Sequence, residues 1–294
     1  MANQPLSDRA KSIILEMQKN EITEYHIYNA VAKRVKDAHN RETLLRIAEE
    51  EKRHYNIWRG YTGEAPTPKK WKVRWYSLLA KVLGFTFALK LMESGESGAQ
   101  RTYDDLSKEV PESTAILHEE EKHEQELLGI LDEERLQYVG SMVLGLNDAL
   151  VELTGTLAGL TFAMQNTRLI ALSGLITGIS ATLSMASSEF LAARSEGRSD
   201  ALKSCIYTGI AYLITVALLI TPYLVLPESG FVTALIIMVV TVVAIIAAFN
   251  YYIAVAKGVG FKKRFFEMAA ISLGVAVFSF VIGLFVKQVL GIDV

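Results

Sequence analysis

The sequence predicts an all-α protein in two parts, a charged four-helix bundle followed by a five-helix transmembrane domain. Two observations predict it: an abrupt change of composition near residue 138, and helical periodicity on both sides of that point. Residues 1–138 hold 21 of the 30 Lys and Arg, 24 of the 32 Asp and Glu, and all five histidines. The remainder holds nine basic and eight acidic residues, too few for the surface of a soluble domain of that size. We therefore expect domains at 1–137 and 138–294.

In the first part, Ile13, Met17, Ile27 and Val31, then Leu44 and Ile47, recur at helical spacing and predict helices over 7–37 and 40–60. A third helix is expected over about 71–109. Pro111 opens a fourth, expected to run without a Gly or Pro linker into the first membrane span. The second and fourth helices carry the pairs Glu51/His54 and Glu120/His123. Positions i and i+3 share a helix face, so each pair can aim one carboxylate oxygen and one imidazole nitrogen at a single point. The third helix adds Glu93 and Glu96, and the first adds Glu21, with Glu24 one turn later.

A glutamate from each of two helices, plus Glu-x-x-His from each of two others, is the ligand set of di-iron and di-manganese carboxylate bundles. The expected metal ligands are thus Glu21, Glu51, His54, Glu93, Glu96, Glu120 and His123. They would surround a di-iron centre in which Mn²⁺ or Zn²⁺ could substitute. One Glu-x-x-His alone is more often part of a solvated helix face; the four-helix constellation carries the reading. Glu119, Glu121, Glu124 and Glu126 are expected to face solvent, and His26, His39 and His118 have no partner pattern.

The second part contains five apolar stretches near the ~20 residues that cross a bilayer, at about 138–164, 169–191, 205–226, 231–256 and 268–290. With the start of the chain inside, the inner loops carry Arg194, Arg198, Lys203, Lys257, Lys262, Lys263 and Arg264, against Arg168 and Lys287 outside. This asymmetry, and a start that lacks a signal-peptide profile, place the first domain in the cytoplasm.

The first two spans carry Asp148 and Glu152, then Met185 and Glu189. Ionisable groups there are expensive and usually functional. Spacing of four lets each helix turn one acidic stripe toward the other, and Gly155/Gly159 and Gly174/Gly178 would let the two approach closely. The expected transport path is Asp148, Glu152, Met185 and Glu189. The plainer alternative has Glu189 ending its helix at the inner interface and Asp148 bonded to a neighbour.

Lys69 to Lys81 alternates basic and aromatic residues before an apolar stretch. An interfacial helix touching anionic headgroups has this pattern, and so does an amphipathic helix packed within a bundle. The net charge of −2 and the acidic runs give no footprint for nucleic acid. The single cysteine, Cys205, excludes an intramolecular disulfide and thiolate metal sites.

Residues 7–135 resemble the rubrerythrin branch of ferritin-like proteins, whose ligand order reads here as Glu21, Glu51/His54, Glu93/Glu96 and Glu120/His123. Residues 138–294 resemble the vacuolar iron transporter family through the Gly-Leu-Asn-Asp-Ala-Leu-Val run from Gly145 to Val151 and the Ser-Met-Ala-Ser-Ser-Glu-Phe run from Ser184 to Phe190. The second resemblance implies that Asp148 and Met185 line an ion path. Together they resemble the membrane-bound ferritin type of prokaryotes. They imply an integral membrane protein of a prokaryotic cell membrane that handles Fe²⁺ within the lipid bilayer; the acids of the path add protons as the exchanged species, and five helices with a two-helix acidic seam would enclose a path more readily as a homodimer.

The function expected is an iron(II) transporter, with manganese(II) as a further substrate, exporting metal from the cytosol by proton antiport. Its cytosolic di-iron domain would capture, sense or oxidise Fe²⁺. The alternative is an enzyme, a membrane-tethered di-iron ferroxidase or peroxidase whose apolar half is mainly an anchor.

Overall fold

The structure, a computed structural model, describes residues 6–94, 106, 109–129 and 138–290. The chain divides into two compact units, Met1–Leu136 and Gln137–Val294. Among the described residues there are ten helices and no strand, as the periodicity requires.

The first unit contains α1 (Asp8–Ala32), α2 (Ala38–Thr62), α3 (Lys70–Val82), α4 (Phe85–Ser94) and α5 (Glu112–Gly129). Ser7 caps α1 by accepting from the Ala10 amide at 3.2 Å, and Asp37 caps α2 by accepting from Asn40 at 2.8 Å. Only a short turn separates the two helices, so they pack as an antiparallel pair. Their facing stripes bury Ile14, Ile27, Val31, Leu44 and Ile47. Trp58 is fully buried among Ile14, Met17, Leu106 and Ile116, which draws α5 onto the pair.

The α2–α3 connection is strapped across α1. Gln18 donates to the Glu64 carbonyl at 2.9 Å, and Thr23 accepts from the Lys69 amide at 2.9 Å. The expected single helix over 71–109 is not what forms, because the chain breaks after α3 and restarts as α4. Gly84 sits at φ +99°, a backbone conformation that side-chain-bearing residues rarely adopt. Length supplies the reason: 39 residues of helix would reach about 58 Å, against about 37 Å for the 25 residues of α1. The expected join between the fourth helix and the first span, at 130–137, lies outside the described residues.

The second unit contains α6 (Val139–Met164), α7 (Thr167–Ser195), α8 (Ala201–Val225), α9 (Phe231–Lys257) and α10 (Phe261–Leu290). All five are long and apolar enough to cross a membrane. The fifth begins earlier than expected, at Phe261. Half of the most apolar stretch of α6 is buried inside the unit, against 11 % for α10, so α6 is the hub. Ile176, Leu183, Val225, Phe278 and Phe285 point outward, as lipid-facing side chains do.

Small residues set the spacing around that hub, mostly with partners other than those expected. Gly155 and Gly159 meet Ser279 and Gly283 of α10, and Gly178 meets Val216 of α8, whereas Gly174 lies closest to Leu157 of α6, the approach expected, with Ile220 of α8 beyond it. The closest approach to another helix's backbone is α6 to α8, where a methyl added at Gly145 would fall 2.5 Å from the Thr208 carbonyl oxygen. Gly145→Ala is expected to destabilise the detergent-solubilised protein by about 1–3 kcal/mol of overpacking, read as a lower thermal midpoint. Gly140→Ala on the same helix, where the methyl meets nothing within 4 Å, is expected to leave the midpoint unchanged. Equal behaviour of the two variants would contradict the close contact.

Candidate functional site

In the first unit, ligand atoms from three helices converge. Glu21 of α1, Glu51 and His54 of α2, and Glu120 of α5 each offer an atom lying within 4.8 Å of all the others. His54 Nδ1 is 2.9 Å from Glu120 Oε1 and 3.6 Å from both Glu21 Oε2 and Glu51 Oε2. Glu21, Glu51 and His54 are buried, and Glu120 is the part-exposed member. None of these four atoms makes a well-directed hydrogen bond among the described residues. Buried polar atoms left in that condition are unfavourable unless a cation binds them. Ligands held about 2.0–2.2 Å from one ion stand about 3–4 Å apart, so the spacing fits a first-row divalent metal.

His123 of α5 extends the cluster. Its Nδ1 lies 3.1 Å from Glu51 Oε1 and 3.6 Å from Glu120 Oε2. Glu51 and Glu120 therefore each turn one oxygen toward His54 and the other toward His123. The two imidazoles stack with centroids 5.9 Å apart. Trp58 fixes Glu21 by donating to its Oε1 at 3.0 Å.

The far nitrogen of each imidazole meets a carboxylate from the other Glu-x-x-His helix. Glu119, beside Glu120, lies 2.7 Å from His54 Nε2, and Glu50, beside Glu51, lies 2.6 Å from His123 Nε2. Arg53 holds Glu119, while Arg46 holds Glu50 and Glu126. Glu119 and Glu126, expected to face solvent, remain part-exposed but are also engaged by these partners. The doubled acid in Glu-Glu-x-x-His was a legible signal. Pairing it with the opposite helix was not, because the contacts join residues 65 and 73 positions apart.

The electrostatics follow. Burial, then the charge of Glu120, pushes the Glu21 carboxyl well above the usual range. Burial opposes ionisation of Glu51 too, but the hydrogen-bonded His123 and the nearby His54 imidazole outweigh it and hold Glu51 at about 2. Burial disfavours charge on both imidazoles, yet bonds to Glu120 and its neighbours raise His123 to about 10 and His54 further.

Of the remaining expected ligands, Glu93 of α4 accepts from the Tyr28 hydroxyl at 2.5 Å. Its negative charge, after burial, raises Tyr28. Glu96 lies outside the described residues. Tyr28 and Trp58 carry no pattern that would single them out in the sequence.

The second unit places polar groups along one seam between α6 and α8. At one end Glu189 of α7 is buried and accepts from Ser141 of α6 at 2.8 Å and Ser204 of α8 at 2.5 Å. Arg198 lies 3.9 Å from the same carboxylate oxygen. Further along, Thr208 donates to the Ser141 carbonyl at 3.1 Å, and Tyr212 donates to Glu152 at 2.8 Å. At the other end Thr161 meets the Tyr223 hydroxyl at 2.8 Å. Sequence reading singled out none of these α8 residues, since isolated Ser, Thr and Tyr in an apolar helix give no spacing signal.

Axial register separates the expected path residues. Glu189 is level with Ser141, which stands 11 residues and so about 16 Å from Glu152. The two glutamates cannot share one ion. Asp148 and Glu152 stand one turn apart on α6. Met185 packs on the core of the unit one turn from Glu189, toward the level of Asp148. Glu189 thus reaches α6, whereas Glu152 turns to α8.

Two outcomes are expected of this cluster if it holds a divalent cation. Glu50→Gln or Glu119→Gln weakens Fe²⁺ or Co²⁺ binding about 10–100-fold in spectroscopic titration, while exposed Glu124→Gln does not. Because His54 and His123 are raised far above their ordinary 6.5, both carry protons at pH 7, and a cation bound at Nδ1 displaces them. Affinity is then expected to increase from neutrality toward pH 10, with proton release visible by calorimetry in buffers of different ionisation enthalpy. Uptake without proton release would contradict the assignment.

The family model described as the VIT family matches residues 139–201, from α6 through α7 to the start of α8. No curated protein and no solved structure matches the chain. The five apolar helices and this match make the chain an integral membrane protein with a VIT family domain at residues 139–201.

Proposed function

We propose that the chain is a transporter of Fe²⁺, with Mn²⁺ as a further substrate, which moves metal out of the cytosol in exchange for protons. The observation that carries this reading is the Asp148–Glu152 pair on the hub helix, within the residues that match the VIT family. The soft thioether of Met185, added to hard oxygen ligands, would favour Fe²⁺ and Mn²⁺ over Mg²⁺ and Ca²⁺. A carboxylate there binds metal when ionised and releases it when protonated, which is what antiport requires. Glu189, held by two hydroxyls and close to Arg198, stands at the inner mouth of the path. Basic residues in the inner loops support a cytoplasmic first unit, and a homodimer would enclose the path more readily than one chain.

The first unit is read as a ferritin-like, rubrerythrin-type bundle. Glu21, Glu51, His54, Glu93, Glu96, Glu120 and His123 are read as the residues that would hold a di-iron centre. Their fit rests on the converging unsatisfied atoms and on the two carboxylates shared between imidazoles. Such a centre supplies one-electron iron chemistry when loaded; the chain's own contribution is to exclude water and to exchange imidazole protons for cations. Capture and sensing need only that, and oxidation of Fe²⁺ would add protection.

Fe²⁺ flux into proteoliposomes under a pH gradient tests the reading. Asp148→Asn is expected to reduce it to background, and Glu51→Ala/Glu120→Ala is expected to change its dependence on Fe²⁺ concentration. Wild-type flux in all variants would sink the coupled transporter. The second reading, a tethered ferroxidase or peroxidase with an apolar anchor, is favoured by the burial of the His54–His123 cluster. It predicts oxygen or peroxide consumption with Fe²⁺ and no flux.

A further inference from the structure

One face of the first unit is apolar, exposed and bordered along one side by positive charge. On α3, Trp71, Trp75, Leu78 and Val82 are 66, 49, 51 and 58 % exposed. Their spacing of four, three and four residues puts them in one stripe about 16 Å long. Lys70, Arg74 and Lys81, each one residue before a member of the stripe, are exposed along its edge, and α3 contains no acidic residue.

The opposite face of α3 is already engaged. Leu79 and Ala80 are buried, and Lys72 and Tyr76 close a cavity of about 110 Å³ against Thr23, Glu24 and Met92. Before the helix, the Lys69 amide is bonded to Thr23 and its ammonium to Glu16 and Asn20. The tryptophans are therefore held outward by packing on the other side, and this decides against an amphipathic helix buried within the bundle. Two exposed indoles beside lysine and arginine are what an interfacial helix places at the level of lipid headgroups.

We propose that α3 is a membrane-surface helix that lays Trp71, Trp75, Leu78 and Val82 into the headgroup boundary of an anionic bilayer. Lys70, Arg74 and Lys81 meet the lipid phosphates. The five apolar helices of the second unit keep the same chain at a bilayer at all times, so a weak surface contact is enough. A second copy is the poorer occupant. A two-fold contact would bring like basic rims together with no acid on either helix to answer them. The inference is independent of what the metal centre and the spans do.

All three tryptophans of the chain, Trp58, Trp71 and Trp75, lie in the first unit, so tryptophan emission reports on it without background from the spans. The full chain is reconstituted in bilayers of phosphatidylglycerol and phosphatidylcholine, with or without bromine on the acyl chains. Brominated lipid is expected to quench the wild type, and to quench much less the surface variant Trp71→Phe/Trp75→Phe, which retains only buried Trp58. Quenching is expected to fall when phosphatidylglycerol is omitted, when salt is raised, and in Lys70→Glu/Arg74→Glu/Lys81→Glu. Tryptophans open to aqueous iodide and unaffected by bromine would overturn the proposal. So would tryptophans shielded from both quenchers, which would assign the face to protein, and quenching indifferent to anionic lipid.

Discussion

A carboxylate taken out of water needs a proton, a hydrogen-bond donor or a cation beside it, and the placement of most polar groups here follows from that need. In the first unit Glu21 and Glu51 are buried within a few ångströms of Glu120. Three acids so close would repel one another beyond what the helix packing supplies. Two imidazoles from different helices answer them, and the result is a cluster that still holds carboxylate oxygens without hydrogen-bond partners among the described residues.

The crossed contacts from Glu50 to His123 and from Glu119 to His54 set the orientation of both rings. An imidazole whose Nε2 faces a carboxylate keeps Nδ1 directed at the opposite side, into the cluster. Each of the two helices thus supplies a ligand pair of its own and the orienting acid for its partner. Arg46 and Arg53 complete the arrangement at the surface, where solvent screening limits their own contribution.

In the second unit the same need is met by hydroxyl groups. Ser141 and Ser204 serve Glu189, and Tyr212 serves Glu152. A hydroxyl donates a hydrogen bond without supplying positive charge, so an acid supported this way retains its capacity to attract a cation or a proton. The requirement also explains the helix arrangement. Gly145 lets α8 come close enough for its Ser, Thr and Tyr residues to reach α6, and α6 is the most buried helix of the unit.

Features governed by local period were legible in the sequence. Five spans, the helical character of the first unit, the doubled Glu-x-x-His and the Asp148–Glu152 turn all depend on residues within four positions of one another or on continuous runs of apolar residues. Tertiary structure decided what those faces meet. It split the expected third helix at Gly84, sent Gly155 and Gly159 to α10, recruited Glu50 and Glu119 across the pair, aligned the hydroxyls of α8 with the acids of α6, and turned Trp71 and Trp75 away from the bundle. Each of these outcomes depends on contacts between distant segments or on which face of a helix finds a partner, and neither leaves a periodic trace in a single chain.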